Sequence, residues 1–546
     1  MSQSMTGGDA IVQALIAHGV DRVFALPGVQ TYPVMDALAR NADSIRTISA
    51  RHEQATAYMA FGYASATGNV GVYSVVPGPG VLNTMAALCT AWGANQPILC
   101  ITGQVPRQFL EAGRGHLHEI PDQQGTVARL CKYTARIEKP EDAPRIVAEA
   151  FKAMRSGRPG PALIEMCWDD MASKAEVAPF APLPLDPPPP LDAGAIAKAA
   201  DLARNAKNPL IMVGSGARHA QAEVIALAEK LNAPVTAFRG GRGIMPADHP
   251  LAMSSYAAWQ LWGETDLVIG IGSRLEMIYM RWSGMNTRIV NPEAPPHLVR
   301  IDIDPAEMGR LAPHVPIVAD SAAGASALLQ ALDQGKAPAV KDMSRLERAR
   351  ATASQAIAAV QPHVGFLEAI RRALPREAVF AEELTQAGYA SFFAWEVFEP
   401  RTYITSGFQG NLGYGFMTSL GAKIGRPDVP VLSITGDGGF LYGASELSTA
   451  VKEQIPLITV LFNNNAYGNV RRDQQTVFGR TIASDFANPD FELLAKAYGV
   501  TYARAGNAAE LKAAITAALP NTGPTLIEVP VDLATEVNPW PYILRR

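Results

Sequence analysis

The tightest constraint on this chain is Gly436-Asp437-Gly438-Gly439-Phe440, followed 24 residues after Gly439 by Asn463-Asn464-Asn465-Ala466-Tyr467-Gly468. The first cluster follows the apolar run Val431 to Thr435 and precedes Ala444 to Ala450, the order of a strand, a tight glycine turn and a helix. The second follows another apolar run, Pro456 to Phe462. Two parallel strands joined by that helix bring Asp437 and Asn464 together at their carboxyl ends. A carboxylate beside an amide oxygen is hard-oxygen chemistry, suited to a magnesium ion that also takes phosphate oxygens. Glycines let backbone N–H groups approach the same phosphates. An isolated Gly-Asp-Gly is an ordinary turn; the flanking strands and the paired asparagines raise this one above that.

At 546 residues the chain exceeds one core, and about three domains are expected. An apolar content of 48% and a charged content of 18% describe an ordinary globular protein. A net charge of -4 without a basic run argues against nucleic acid or an anionic membrane as the main partner. Cys89, Cys100, Cys131 and Cys167 lack metal-ligand spacing and fit buried apolar roles in a reduced compartment. No leader pattern and no apolar run of membrane-spanning length is seen, so the expected location is cytoplasmic.

Along the chain, residues 1–175 alternate helix and strand, with a helix at Thr6 to Gly19 and strands at Val23 to Leu26, Gly71 to Val76 and Ile98 to Gly103. Residues 176–192 contain Pro179, Pro182, Pro184 and the run Pro187 to Pro190, a stiff connector. A second unit at 193–335 has strands at Leu210 to Val213, Pro234 to Phe238, Leu267 to Ile271 and Leu298 to Ile303. Its Gly214-Ser215-Gly216, Ser273-Arg274 and Asp302-Ile303-Asp304 are compatible with a nucleotide, arginine for phosphate and aspartate for ribose, but lone glycine turns are weak signals and a purely structural domain is the favoured expectation. A connector at 336–360 leads to a third unit at 361–546, which holds both opening clusters. The fold class is α/β, as three doubly wound parallel-sheet domains.

Glu53 closes a strand-like stretch just before a helix expected from Ala55. A carboxylate there acts as an acid or base if it faces an apolar pocket, and is otherwise a glutamate stabilised by the helix dipole. His116 and His118 lie two apart in a glycine-containing loop, either proton-transfer groups near neutral pH or a surface pair.

With these motifs, and with Leu26-Pro27-Gly28, Gly78 to Asn83, Thr102 to Pro106 and Ser406 to Gly415, the chain resembles thiamine diphosphate enzymes of the acetolactate synthase, pyruvate oxidase and 2-oxo acid decarboxylase group. The likeness runs along nearly the whole chain. It implies a pyrimidine-binding, a middle and a diphosphate-binding domain. It implies that Glu53 hydrogen-bonds a pyrimidine nitrogen and promotes the ylid, within loops carrying Pro27, Gly28, Gly78, Asn83 and Gln104. Thr385 is implied to meet the diphosphate, Leu412 beside Gly410 to wedge the cofactor into a bend, and Gly438, Gly439, Tyr467 and Gly468 to line its other end. Asp437, Asn464 and the Ala466 carbonyl oxygen are the implied Mg2+ ligands. Active sites of this group form between chains, so a homodimer or homotetramer is expected.

The sequence also departs from the synthases. Arg114 to Glu119, with both histidines, stands where they carry a Phe-Gln pair, and Asp473 stands where they carry tryptophan. Ser254-Ser255-Tyr256 and Leu275-Glu276-Met277 do not reproduce their flavin and second-substrate motifs, so FAD is disfavoured. The expected function is a thiamine diphosphate- and magnesium-dependent carbon-carbon lyase or carboligase, acetolactate-synthase-like. It acts on a 2-oxo acid through a ylid and an enamine and passes the fragment to a carbonyl acceptor. The alternatives are a non-flavin aryl or branched 2-oxo acid decarboxylase like benzoylformate decarboxylase, and a 2-hydroxyacyl- or oxalyl-CoA-type lyase. From another class comes a catalytically silent cofactor-binding subunit, against which the intact Glu53, Asp437 and Asn464 argue. Val537 to Arg546, with Trp540 and Tyr542, is either a cover over the site or a docked tail.

Overall fold

Long apolar runs bounded by glycine and proline favour strands buried on both faces, the signature of parallel sheets covered by helices. The computed structural model describes residues 2–276, 296–334 and 342–543. Met277, the 336–341 part of the second connector and Leu544 to Arg546 lie outside the described residues. Within them stand three six-stranded sheets, each strand parallel to its neighbours.

The first sheet comprises, in chain order, Arg22–Ala25, Arg46–Ser49, Gly71–Val75, Ile98–Gln104, Tyr133–Ile137 and Ala162–Cys167. Its spatial order is 2-1-3-4-6-5. The third sheet repeats that order with Val379–Ala381, Tyr403–Ile404, Val431–Gly436, Leu457–Asn463, Thr501–Arg504 and Thr525–Pro530. The middle sheet runs 3-2-1-4-5-6 from Pro209–Val213, Val235–Ala237, Ala252–Met253, Leu267–Ile271, His297–Asp302 and Val315–Val318. Such sheets open a crevice at the strand carboxyl ends where the order reverses. In the first sheet Pro27-Gly28 and Gly78-Pro79 border it; in the third, Glu382 to Thr385 and Asp437 to Gly439 do.

Several local expectations need correction. Asp437–Phe440 is itself a helical turn rather than a plain glycine turn, and the following helix, Leu447–Lys452, begins only after a 3-10 turn at Ala444–Glu446. The helix expected from Ala55 begins at Glu53, because the His52 ring accepts the Gln54 amide at 3.1 Å and caps it. Histidine is a rare cap and gives no start signal in sequence. A two-stranded antiparallel ribbon, Gln3–Thr6 with Lys174–Val177, is too short and polar to show in the apolar pattern.

The first and third domains share one apolar core, in which Phe24, Tyr58 and Tyr73 join Tyr414, Phe416 and Phe440. Helix Glu53–Thr67 crosses helix Tyr414–Gly425 within it. A Cβ on Gly62 would lie 1.8 Å from the Thr418 carbonyl oxygen, and one on Gly421 would lie 1.9 Å from that of Met59. Gly62→Ala therefore forces the helices apart and is expected to cost about 2 to 3 kcal/mol. Chemical denaturation reads this directly, and unaltered stability refutes the crossing.

Glu382 and Glu383 follow the first strand of the third sheet and are both buried. Glu383 accepts from the Gly413 amide and, at 2.6 Å, from the Thr435 hydroxyl. The Glu382 carboxylate has no well-formed partner, although the Thr405 and Tyr414 hydroxyls lie near it. Burial pushes both carboxyls up to about 7. A carboxyl raised this way from 4.5 costs nothing while protonated in both states, costs more as pH rises, and costs most above its folded value. Glu382→Gln should thus match wild type in melting temperature below about pH 4 and exceed it at pH 8. The upper bound is about 3 kcal/mol at roughly 1.4 kcal/mol per unit; a pH-independent difference would contradict the assignment.

Candidate active site

On the first sheet, Glu53 is the opening residue of its helix, and its Oε2 accepts the Asn83 amide at 3.0 Å. Asn83 ends the short helix Pro79–Asn83 that follows the third strand, so two sequence-nominated residues meet at this crevice. Pro27 and Gly28 border it from the neighbouring strand, the Gly28 amide donating to the Thr31 hydroxyl at 3.2 Å. The Gly78 amide donates to Gln123 Oε1 at 2.7 Å, and Gln123 Nε2 donates to Glu165 at 2.7 Å. Arg136 and Gln124 complete the Glu165 shell at 2.8 and 3.0 Å. Gln104 belongs to this buried network: its side-chain Oε1 accepts the Val105 amide at 2.8 Å and its Nε2 faces Glu165 at 3.5 Å.

The two histidines part company. His118 Nδ1 lies 2.8 Å from Gln30 Oε1, while Gln30 Nε2 donates to the Leu117 carbonyl at 2.9 Å. Buried Gln30 thereby clamps the 117–118 segment over the crevice, and a Cβ on Gly78 would come within 2.4 Å of the His118 carbonyl oxygen. His116 instead packs on Phe109, ring centroids 4.0 Å apart. Sequence reasoning missed Gln30, Gln123 and Glu165. Gln30 alone had a usable signal, since it closely follows a strand that ends at the crevice.

On the third sheet, Gly436 pairs in register with Phe462, which sets Asp437 beside Asn464. Asp437 is buried, and that burial raises its pKa against the opposing pull of its hydrogen bonds. Its Oδ1 accepts the Gly438 amide at 2.9 Å. Its Oδ2 accepts the amides of Asn464 and Asn465 and the Asn488 side chain at 3.2, 2.6 and 2.7 Å. All four donors are neutral, so the carboxylate charge stays uncompensated, and a cation with oxygen preference fits it. Asn464 donates its amide to Glu536 at 3.3 Å, and its Oδ1 accepts the Ala466 amide at 3.2 Å. Asn488 was not foreseen; it reaches Asp437 from a loop 51 residues away.

The glycines after Asp437 are confined by their neighbours. A Cβ on Gly438 would meet the Tyr467 ring at 2.5 Å, and one on Gly439 would meet Glu383 Oε1 at 2.3 Å. Thr385 caps helix Gln386–Ala394 by accepting the Gly388 amide at 2.9 Å. Part-buried Leu412 lies between Gly410 and Gly413, both at positive φ, and Gly468 opens helix Gly468–Phe478. Trp540 donates to Asn469 Oδ1 at 2.8 Å and packs at a tilt on Tyr389, ring centroids 4.7 Å apart, while Tyr542 packs on Phe393. The tail is thus docked, with Trp540 beside the segment that follows Gly468.

At the switch point of the middle sheet is a cavity of about 640 Å³ lined by Gly214 to Gly216, Ser273, Arg274, Asp302 and Ile303. Arg218 and Arg401 also line it, and burial lowers the pKa of both, Arg218 to about 9.

Comparison with known proteins agrees with this geometry. Residues 5–126, 196–332 and 386–529 match the N-terminal TPP binding domain, central domain and C-terminal TPP binding domain of thiamine pyrophosphate enzymes. A probable 2-ketoarginine decarboxylase of Pseudomonas aeruginosa is 33% identical over 96% of this chain and 94% of its own. A probable acetolactate synthase large subunit of Methanocaldococcus jannaschii is 33% identical over 97% and 92%. The acetolactate synthase isozyme 2 large subunit of Escherichia coli is 32% identical over 99% and 97%. The chain belongs to the thiamine pyrophosphate enzymes, as a thiamine diphosphate-dependent decarboxylase or carboligase of the acetolactate synthase and 2-oxo acid decarboxylase group.

Proposed function

We propose that the chain is a thiamine diphosphate- and magnesium-dependent lyase or carboligase that cleaves a 2-oxo acid beside its carbonyl and transfers the fragment to a carbonyl acceptor or a proton. The observation that carries this reading is the pairing of Glu53 with Asn83 at one crevice and Asp437 with Asn464 at the other. When bound, thiamine diphosphate supplies the carbon nucleophile and the electron sink.

The chain's own residues do the rest. Glu53 exchanges a proton with a pyrimidine nitrogen, and Asn83 orients its carboxylate. Asp437, the Asn464 side chain and the Ala466 carbonyl oxygen would hold the magnesium ion. Thr385 and the Gly438-Gly439 backbone would bind phosphate oxygens, and Leu412 would pack against the bound cofactor. Pro27, Gly28 and Gly78 shape the pyrimidine pocket, with Gln104 fixing it from behind, while Tyr467 and Gly468 close the diphosphate end. His118, oriented by Gln30, moves a proton at the substrate end; His116 supports that loop against Phe109.

Exposed Val29, Tyr32 and Leu82 flank the first crevice and exposed Leu441 and Tyr442 follow the Gly438-Gly439 turn. These apolar rims support a homodimer, or a dimer of dimers, in which Glu53 of one protomer faces Asp437 of its partner. The middle cavity, with its arginines, favours an anionic nucleotide over an empty structural role, and no flavin is invoked. Four free cysteines support a reducing, cytoplasmic setting.

A second reading, decarboxylation of a 2-oxo acid with a cationic side chain, is favoured by the ketoarginine decarboxylase relative and by exposed Asp473 on helix Gly468–Phe478. An assay with thiamine diphosphate and magnesium separates the two. Carbon dioxide plus an acyloin or acetohydroxyacid from pyruvate supports the carboligase, and carbon dioxide from 5-guanidino-2-oxopentanoate alone supports the second reading. No turnover of any 2-oxo acid, with or without aldehydes, sinks both. Glu53→Gln should lower turnover by at least about 100-fold with an unchanged circular dichroism spectrum. Chelation of divalent cations, or Asp437→Ala, should weaken thiamine diphosphate binding by at least about tenfold in calorimetry, and magnesium should restore the chelated enzyme only.

A further inference from the structure

Glu446, nine residues beyond Asp437, is completely buried and sits at the end of the 3-10 turn Ala444–Glu446. Its side chain leaves the third domain and reaches the first. Oε1 accepts the amides of Arg51 and His52, each at 3.0 Å, while Oε2 lies 3.1 Å from the Arg51 nitrogen and accepts the Thr449 hydroxyl at 2.6 Å. These two amides fall in the gap between two regular elements. The last sheet bond before them runs from the Ala50 amide to the Ala25 carbonyl at 3.2 Å, and the helix begins at Glu53. Among the described residues no other group supplies the acceptor there, so the carboxylate sets the path by which the chain enters the helix.

Neighbouring contacts hold the same junction. Thr449 and Lys452 donate to the Ser49 carbonyl and hydroxyl at 3.4 and 2.8 Å, and Arg46 pairs with Glu453 at 2.7 Å. Among the described residues, Glu446 is the acceptor for both the Arg51 and the His52 amides, the two that precede Glu53.

We propose that Glu446 is a positioning residue for Glu53: by fixing the Arg51 and His52 peptides, it aims the Glu53 carboxyl at its proton-transfer partner. The segment that begins with Asp437 then ends by orienting the acid-base group of the first domain. This rests on the reading of Glu53 as the group that exchanges a proton with the cofactor ring. A glutamine at 446 keeps one carbonyl acceptor and loses the second, and an alanine removes both. Because a misplacement of about 1 Å can cost about 100-fold in such chemistry, the effect belongs to proton transfer rather than to ligand binding.

The test uses full-length protein loaded with thiamine diphosphate and magnesium, without substrate. It follows by rapid quench and NMR the rate at which the bound cofactor exchanges its reactive ring C–H proton for deuterium. Glu446→Gln should slow exchange about three- to tenfold and Glu446→Ala more than about tenfold, with cofactor affinity within about threefold of wild type. The same order should appear in kcat, with KM little changed. Exchange at the wild-type rate in Glu446→Gln, or in a folded Glu446→Ala, overturns the proposal; if the alanine variant does not fold, the glutamine variant decides. Glu53→Gln is the control: if it leaves exchange intact, the reading of Glu53 fails, whereas loss of exchange there with none in the Glu446 variants rejects the positioning role alone.

Discussion

The crossing of helix Glu53–Thr67 over helix Tyr414–Gly425 depends on two absent side chains, since a Cβ at Gly62 or Gly421 would overlap the carbonyl of the opposing helix. Because backbones touch there, the two helices have no freedom to slide, and the aromatic residues around them close into a single core. Glu53 stands at the first residue of one of these helices. Its position is therefore a property of the third domain as much as of the first.

The same spatial order, 2-1-3-4-6-5, occurs in the first and third sheets, and each presents its crevice between the first and third strands. Equal topology leads to different chemistry because the loops differ. On the first sheet, the crevice is walled by side-chain amides and one arginine around Glu165, while Glu53 stands apart from that network and accepts from Asn83. On the third, backbone amides converge on Asp437 and leave a buried charge for a cation to balance. Under the proposed function, the first half would serve proton exchange and the second would take phosphate and metal.

Much of this architecture was legible in the sequence because strands covered on both faces must be continuously apolar, as Ile98 to Gly103 and Leu457 to Phe462 are. Asp437 and Asn464 were legible because parallel neighbours in one sheet align their carboxyl ends. The supporting polar groups were not. Gln30 meets its histidine across 88 residues, Asn488 meets Asp437 across 51, and Glu446 meets Arg51 across 395. A buried glutamine or glutamate has the same local pattern as a solvated one, and only the fold brings its partner near. The start of the Glu53 helix was misjudged for a related reason, since its cap is a histidine ring whose role depends on rotamer rather than on residue type.

The glycines of Gly436-Asp437-Gly438-Gly439 have a packing reason beside the one read from sequence. From sequence, they open the backbone to phosphate; in the structure, Gly438 also yields to the Tyr467 ring and Gly439 to the Glu383 carboxyl. Glu383 is in turn held by the Gly413 amide, one residue from Leu412, and by the Thr435 hydroxyl, two residues before Asp437. A single buried carboxyl thus sets the spacing between the strand that carries Asp437 and the loop that carries Leu412. Any side chain at 439 would push against that carboxyl, so packing alone already limits what the motif tolerates there. The cost of burying Glu383 is the counterpart of that rigidity: a group pushed up to about 7 holds its geometry through hydrogen bonds rather than through ion pairing.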